Sequence, residues 1–411
     1  MKKNIVYIII WIWFLPLASK GQSLNDYLKI ASENNPELQA FYYDFEASMK
    51  RVSQVSALPD PVLSFGMFVS PIETRVGAQR AKVSISQMFP WFGTLKAKER
   101  VASLQAEAKY QAFIDKKNEL ILKVKKAYYP IYEANEQIRL MEAYITILDI
   151  YKQLATTSVA NGKATIIDVI RVDIMIEDMK TDAKLMRDKL TPLHITFNRL
   201  LNRSDSVKIM MQDTLAIISL GQLQRRDSLL FKNPRIKALE KQIEASNSMI
   251  KVSQKEGRPK FGVGLDYALI SERTNVEIPD NGKDAFMPMV SMSLPIFRGK
   301  YKASVEESRL LKKSKEFQKT NLENELISRY ESIWYEINKA QQLITLFNEQ
   351  MSKTEQVIRL LYTAYSNSGE NFEEVLRMQQ QLLKYQMALA TETTKFYTAL
   401  AQLDYLTSKS E

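Results

Sequence analysis

The sequence predicts a mainly α-helical chain with a β portion suited to a membrane, built from one structural unit used twice. Three observations predict it. Both halves share a self-match at an offset of 198 residues, each half holds two runs that alternate large apolar with small or polar residues, and a very long helical pattern follows each pair of runs.

The N-terminus sets the compartment. Met1-Lys2-Lys3 is basic, Ile5 to Ala18 is apolar, and Ser19 and Gly21 are the small residues of a cleavage site before Gln22, so residues 1–21 are expected to be a secretory signal peptide. An apolar run of about 14 residues falls short of the roughly 20 that a spanning helix needs. The 411 residues include no cysteine, which excludes disulfides and a lipidated N-terminal cysteine.

Removing residues 1–21 takes away three lysines and no acid, which leaves 54 basic side chains against 47 acidic. That excess is spread along charge-mixed segments and describes solvated helix faces, with no nucleic-acid partner expected. The single histidine, His194, follows Pro192 in a leucine-rich helical stretch, where a packing or capping role is expected. Without cysteine or a second histidine, most zinc, thiol and Ser-His chemistry is removed. No enzyme activity, cofactor or metal site is expected.

The duplication is detailed. "NPELQAFYYDFEAS" (35–48) matches "NPRIKALEKQIEAS" (233–246), and Pro61 matches Pro259. Further on the offset becomes 206: "NELI" at 118–121 recurs at 324–327, and "DVIR" at 168–171 answers "EVLR" at 374–377. We therefore expect a first repeat over 22–215 and a second over 216–411.

In each repeat a helical stretch comes first, interrupted at Asn35-Pro36, where proline begins or kinks a helix. Strands follow near 62–70 and 81–89, and again near 260–270 and 285–294. Leu63, Phe65, Met67 and Val69 alternate with Ser64 and Gly66, and Phe261, Val263, Leu265, Tyr267 and Leu269 alternate with Gly262, Gly264, Asp266 and Ala268. Polar loops are expected over 71–80 and 270–284. Large apolar residues on one face and small or polar ones on the other suit a sheet between lipid and a watery lumen. A soluble sheet capping a helical bundle is the other reading of this pattern.

Four strands cannot close a barrel, and open sheet edges are not tolerated in lipid. The chain must therefore assemble with copies of itself if the strands span. Two copies supply eight strands, whose interior side chains fill, whereas three supply twelve and leave a passage.

The knots "FPWFG" (89–93) and "LPIFRG" (294–299) end the strands. Pro90 and Pro295 cannot donate to a ladder, and Gly93 and Gly299 relieve backbone sterics, so both are expected to be strand-to-helix elbows. Phe89, Trp91, Phe92, Ile296 and Phe297 suit a bilayer interface. Helical hairpins are expected over 94–203 and 300–408, with first arms of about 60 residues, or roughly 90 Å each. Ile138, Met141, Ile145 and Leu148 show the three-four spacing of a coiled coil. Pro130 should kink or break the first arm. Polar glycine-bearing tips are expected near 158–166 and 366–373.

Taken together, the signal peptide, the twofold unit, the "PWFG" and "PIFRG" knots and the tips "NGKATIIDVIR" and "SGENFEEVLRMQQQLL" resemble the TolC-type outer-membrane efflux family. The resemblance covers essentially the whole mature chain. It implies a homotrimer with a twelve-stranded β-barrel in the outer membrane of a Gram-negative bacterium and a twelve-helix barrel in the periplasm. Such a duct passively passes small toxic compounds or metal ions delivered by an inner-membrane pump of the RND or ABC type through a periplasmic adaptor, the membrane fusion protein. The alternatives are a soluble periplasmic coiled-coil adaptor without a pore and the outlet of a type I protein secretion system.

The resemblance also assigns residues. The adaptor-contacting tips map onto Asn161, Gly162, Lys163 and Ala164, and onto Ser368, Gly369, Glu370 and Asn371. The gating acids of the inner mouth map onto Glu374 and, a turn later, onto Arg377, where an arginine replaces an acid. Asp168 and Arg171 hold the matching places in the first repeat. Three Glu374 carboxylates around a threefold axis would repel one another, unless Arg377 or Arg171 neutralised them and latched the mouth. Met287, Met289 and Met292 lie close in sequence and hint at metal ions as substrate.

Overall fold

A computed structural model describes residues 23–211, 215, 227–274, 276–368 and 372–409. The expected signal peptide lies outside them. The elements run α1 (Leu24–Asn34), α2 (Pro36–Ser56), β1 (Val62–Thr74), β2 (Gly77–Phe89), α3 (Thr94–Ala160), α4 (Ile166–Leu200), α5 (Pro234–Glu256), β3 (Lys260–Ser271), β4 (Ala285–Ser293), α6 (Gly299–Ser368) and α7 (Phe372–Thr407), with a short 3-10 turn (Asp227–Lys232) before α5. The fold is thus mostly helical, with one small antiparallel sheet.

The duplicated Asn-Pro pairs act as helix starts. Asn35 accepts the Leu38 N–H at 3.1 Å, Asn233 accepts the Arg235 N–H at 2.9 Å, and a proline with its preset φ opens each helix behind them. Buried Asn233 also donates from Nδ2 to the Leu406 carbonyl at 3.0 Å, which ties α5 to the end of α7. Asn233→Ala removes a cap and orphans a buried carbonyl, so it should cost about 2–4 kcal/mol. Thermal unfolding of the detergent-solubilised protein would check this, with Asn35→Ala expected to cost about 1 kcal/mol.

Two corrections concern the strands and the first long helix. The stretch 71–80 is largely strand, because β1 runs to Thr74 and β2 begins at Gly77, which leaves a two-residue turn in place of a polar loop. The helix α3 passes through Pro130 without a break. Proline there removes one rung of the ladder, but Tyr128, Tyr129 and Ile131 are buried on either side, and Tyr128 lies against Tyr27 and Phe197 with ring centroids about 6 Å away. Packing of these large side chains outweighs the lost hydrogen bond.

The chain forms two compact units, each drawing on both repeats. One comprises the N-terminal segment to Glu33, Val124–Ile218 and Phe347–Thr394; the other comprises Asn34–Lys123, Ser219–Leu346 and Lys395–Glu411 and holds the sheet.

Sheet order is β1-β2-β3-β4, all antiparallel, so the two hairpins join through β2 and β3. The register aligns the faces. Phe65, Val83, Tyr267 and Phe286 stand in one cross-strand row, while Ser64, Ser84, Asp266 and Met287 stand in a row on the other side. Large side chains of the first face are open within the single chain, with Phe65 at 67% exposure and Phe286 at 66%. The second face carries small residues and a Lys82–Asp266 ion pair. Among the described residues the outer edges of β1 and β4 pair with no other strand.

Candidate functional site

The first unit contains the helix ends that the sequence marks as a mouth. At the first tip α3 ends in a left-handed Gly162 at φ +68°, with Gly162 N–H donating to Val159 O and Lys163 N–H to Ser158 O, each at 2.9 Å. Asn161, Gly162 and Lys163 are exposed on this loop, and Ala164 is half-buried. Ser368 is the last described residue of α6; Gly369, Glu370 and Asn371 lie outside the described residues.

Behind the tips lies a core of Tyr144, Leu148, Tyr151, Val172, Ile176, Tyr365, Phe372 and Val375, which draws side chains from α3, α4, α6 and α7. Phe372, the first residue of α7, is its keystone: the Tyr365 ring lies 4.8 Å away and the Tyr151 ring meets it edge-on at 6.3 Å. Gln379 donates to the Tyr151 hydroxyl at 2.9 Å, a buried bond that fixes α7 against α3.

Charge gathers on the first turns of α4 and α7, where carboxylates favour the positive end of the helix dipole. Arg377 forks onto Glu374 within α7, with Nε to Oε2 at 2.8 Å and Nη2 to Oε1 at 2.5 Å. This bidentate contact holds the Glu374 carboxyl below its ordinary range and raises the Arg377 guanidinium.

Asp168 and Arg171 do not repeat that arrangement. Asp168 accepts from the Thr165 N–H at 3.3 Å and from its hydroxyl at 3.2 Å, which closes the start of α4. Arg171 stands 3.9 Å from Asp168 but 3.1 Å from Glu373, so it bridges α4 to α7. Glu373 is the residue that sequence matching missed. The doublet Glu373-Glu374 signals two acids in the first turn, yet only the facing of α4 and α7 decides which one meets Arg171.

The elbows lie in the second unit. After Pro90 the chain turns through Gly93, whose φ of +71° is left-handed and favours glycine. Lys255 donates to the Phe92 carbonyl at 3.0 Å, and Trp91 stacks on Phe261 at 5.9 Å with planes 28° apart. At the second elbow Pro295 and Ile296 precede two short turns, with the Ile296 N–H on Leu294 O at 2.9 Å and the Arg298 N–H on Ile296 O at 3.0 Å. Gly299 corrects the expectation of matched glycines: it opens α6 without a positive φ, and a Cβ there would meet nothing within 4 Å. Phe92, Ile296 and Phe297 are strongly exposed.

His194 is half-buried in α4, and burial alone lowers its pKa. Among the described residues no group of three His, Asp or Glu is placed to hold a metal ion, and no helix is long and apolar enough to cross a membrane.

An amphipathic sheet with one open apolar face, joined through aromatic elbows to long helical hairpins with charged tips, is the architecture of an outer-membrane efflux channel. Residues 27–193 and 226–408 match the model of the outer membrane efflux protein family, and the chain belongs to that family. Its place is the outer membrane of a Gram-negative bacterium, and its family and fold are those of channels, not of enzymes.

The fold is shared with solved structures of low sequence identity. VceC, an outer membrane protein of Vibrio cholerae, is 15% identical with a TM-score of 0.73 over 93% of this chain and 95% of its own. CusC is 15% identical at 0.75, over 93% and 91%. The open-state MtrE channel of Neisseria gonorrhoeae is 16% identical at 0.67, over 92% and 88%. No curated protein matches the chain.

Proposed function

We propose that the chain works as a homotrimer, a passive exit duct that receives small toxic compounds or metal ions from an inner-membrane pump, of RND or ABC type, through a periplasmic adaptor. The observation that carries this reading is the sheet. Its apolar face is open to the surroundings, its opposite face holds serine, glycine and an ion pair, and both its edges are unpaired among the described residues. In lipid such edges must close on other copies, and three copies supply the twelve strands that leave a passage. The tips around Asn161–Ala164 and Ser368–Asn371 are where the adaptor would dock, and Pro90, Trp91, Gly93, Pro295, Phe297 and Gly299 would sit at the inner bilayer interface. Mass measurement of the detergent-solubilised protein tests the assembly; a monomer or dimer would overturn it.

Glu374 with Arg377 would set the closed mouth, with Arg171 and Glu373 tying the two hairpins together beside it. In planar bilayers a Glu374→Ala channel should conduct more or lose cation preference; unchanged conductance and selectivity would count against this role.

The lowered Glu374 pKa also gives a pH dependence. A carboxyl whose pKa is depressed keeps its ion pair above the ordinary carboxylate range and loses it as pH falls through the depressed value. Wild-type conductance should therefore stay level between about pH 7 and pH 5, since the ordinary carboxylate value is already near 4.3. Removing the guanidinium in Arg377→Ala leaves three like-charged carboxylates facing one another at the mouth of the trimer, which raises their titration above the ordinary value, so that conductance becomes pH-sensitive in that window. A flat profile in both channels would sink the assignment.

A further inference from the structure

Positive charge gathers unmatched at the second elbow. A cleft of about 1350 Å³ lies between the end of α5 and the start of α6, and Arg258, Arg298, Lys302 and Arg309 line it against the single carboxylate of Glu306. Glu306 holds Arg309 at 3.3 Å. Arg258, Arg298 and Lys302 are exposed and, among the described residues, pair with no carboxylate. Other cations of the same unit are matched, Lys98 with Glu256 at 2.7 Å and Lys241 with Glu107 at 2.9 Å, so an unmatched trio around one cleft departs from the pattern of these helix faces.

The cleft has a fixed floor and an apolar rim. Ser253 and Ser304 join α5 to α6 through hydroxyls 2.9 Å apart, and Tyr301 packs on Gly257, where a Cβ would come within 3.2 Å of the ring. Leu294 and Ile296 line the opening and are 61% and 75% exposed. β4 ends at Ser293, and Leu294 stands two residues beyond Met292, which pairs with Phe261 on the apolar face. The opening therefore lies toward the side of the sheet that would meet lipid. Cations beside exposed aliphatic side chains suit a molecule with an anionic head and acyl chains.

We propose that this cleft binds the phosphate of an anionic diacyl phospholipid from the periplasmic leaflet of the outer membrane, with the acyl chains along Leu294 and Ile296. The site rests on the reading above that the elbows sit at the inner bilayer interface. A guanidinium fork matches two phosphate oxygens at once, which assigns Arg258 and Arg298 to the phosphate, while Lys302 adds a point charge. A zwitterionic head is disfavoured, because its own cation would meet like charge. A lipid held in this way fixes the depth at which strand passes to helix.

The test measures, by mass spectrometry of the lipid extract, what the detergent-solubilised protein retains from an equal mixture of phosphatidylglycerol and phosphatidylcholine. Wild type is compared with Arg258→Gln/Arg298→Gln/Lys302→Gln and with Lys50→Gln/Lys96→Gln/Lys251→Gln, a control that removes equal charge from residues outside the cleft. Wild type and control should retain phosphatidylglycerol in excess, and the cleft variant should lose about fivefold or more of that excess, the scale on which cations at a lipid surface hold anionic heads. An equal ratio in the cleft variant, or no excess in the wild type, overturns the site. Loss of the wild-type excess in inorganic phosphate at constant ionic strength would mean that the cleft takes a free anion, and overturns the lipid assignment. Placement is tested separately, by tryptophan quenching in vesicles of brominated phosphatidylcholine. Outside the expected signal peptide the tryptophans are Trp91 at the first elbow and Trp334, which is buried in α6 roughly 50 Å beyond the second elbow, so quenching reports Trp91. Unquenched fluorescence overturns the interface reading, and the retained lipid ratio still decides the cleft. Should the triple variant not assemble, Arg298→Gln alone carries the same test, with a smaller loss supporting the site and the wild-type ratio overturning it.

Discussion

Phe65→Arg is expected to abolish recovery of the assembled channel from outer membranes while leaving the exported chain detectable in the periplasm. Phe65 stands in a row with Val83, Tyr267 and Phe286 on the open apolar face, well inside β1. An arginine facing lipid deep in a barrel costs about 2–4 kcal/mol per copy, and a trimer would pay it three times. That loss rivals the whole stability of many folded proteins, about 5–15 kcal/mol. The neighbouring Gly66→Ser provides the contrast. It lies on the opposite face, a Cβ there meets nothing within 4 Å, and a serine matches the Ser64 and Ser84 that share that face. Detergent extraction followed by electrophoresis with and without heating would quantify the assembled form. Equal yields of both variants would mean that the face holding Phe65 does not meet lipid.

Much of this fold is legible in the sequence because its signals are local and occur twice. Asn-Pro marks a helix start wherever it stands, and Asn35 and Asn233 cap α2 and α5 by the same side-chain bond. Alternation in "FGVGLDYAL" assigns the faces of β3 before its partners are known. It fails for "AFMPMVSMS", where apolar residues occupy both faces of β4 and only pairing with β3 reveals that Met287 and Met289 share the side of Asp266. The polar stretch 71–80 looks like a loop because strand ends that carry polar side chains give no period-two signal. At the tips, identity of residues was not enough. "DVIR" and "EVLR" match in sequence, yet Asp168 turns back to Thr165 and leaves Arg171 to Glu373, whereas Glu374 takes Arg377.

Phe372 is the residue whose loss should alter the mouth most. It is 4% exposed, and its ring touches Tyr365 on α6 and Tyr151 on α3, so one side chain holds the start of α7 to both long helices. Truncating a buried phenylalanine to alanine costs about 3–5 kcal/mol, and here the cavity would open beside the turn that carries Glu373 and Glu374. By contrast, the Glu374–Arg377 contact is exposed to water and screened, and contacts of that kind contribute little to stability. Phe372→Ala should therefore raise single-channel conductance more than Glu374→Ala does and lower the thermal midpoint as well, which the charge variant should leave nearly unchanged. Phe372→Leu, which keeps most of the buried area, should restore a wild-type conductance. A Phe372→Ala channel that melts earlier yet conducts as the wild type would separate the core from the gate, and the constriction would then have to lie in the charged first turns alone.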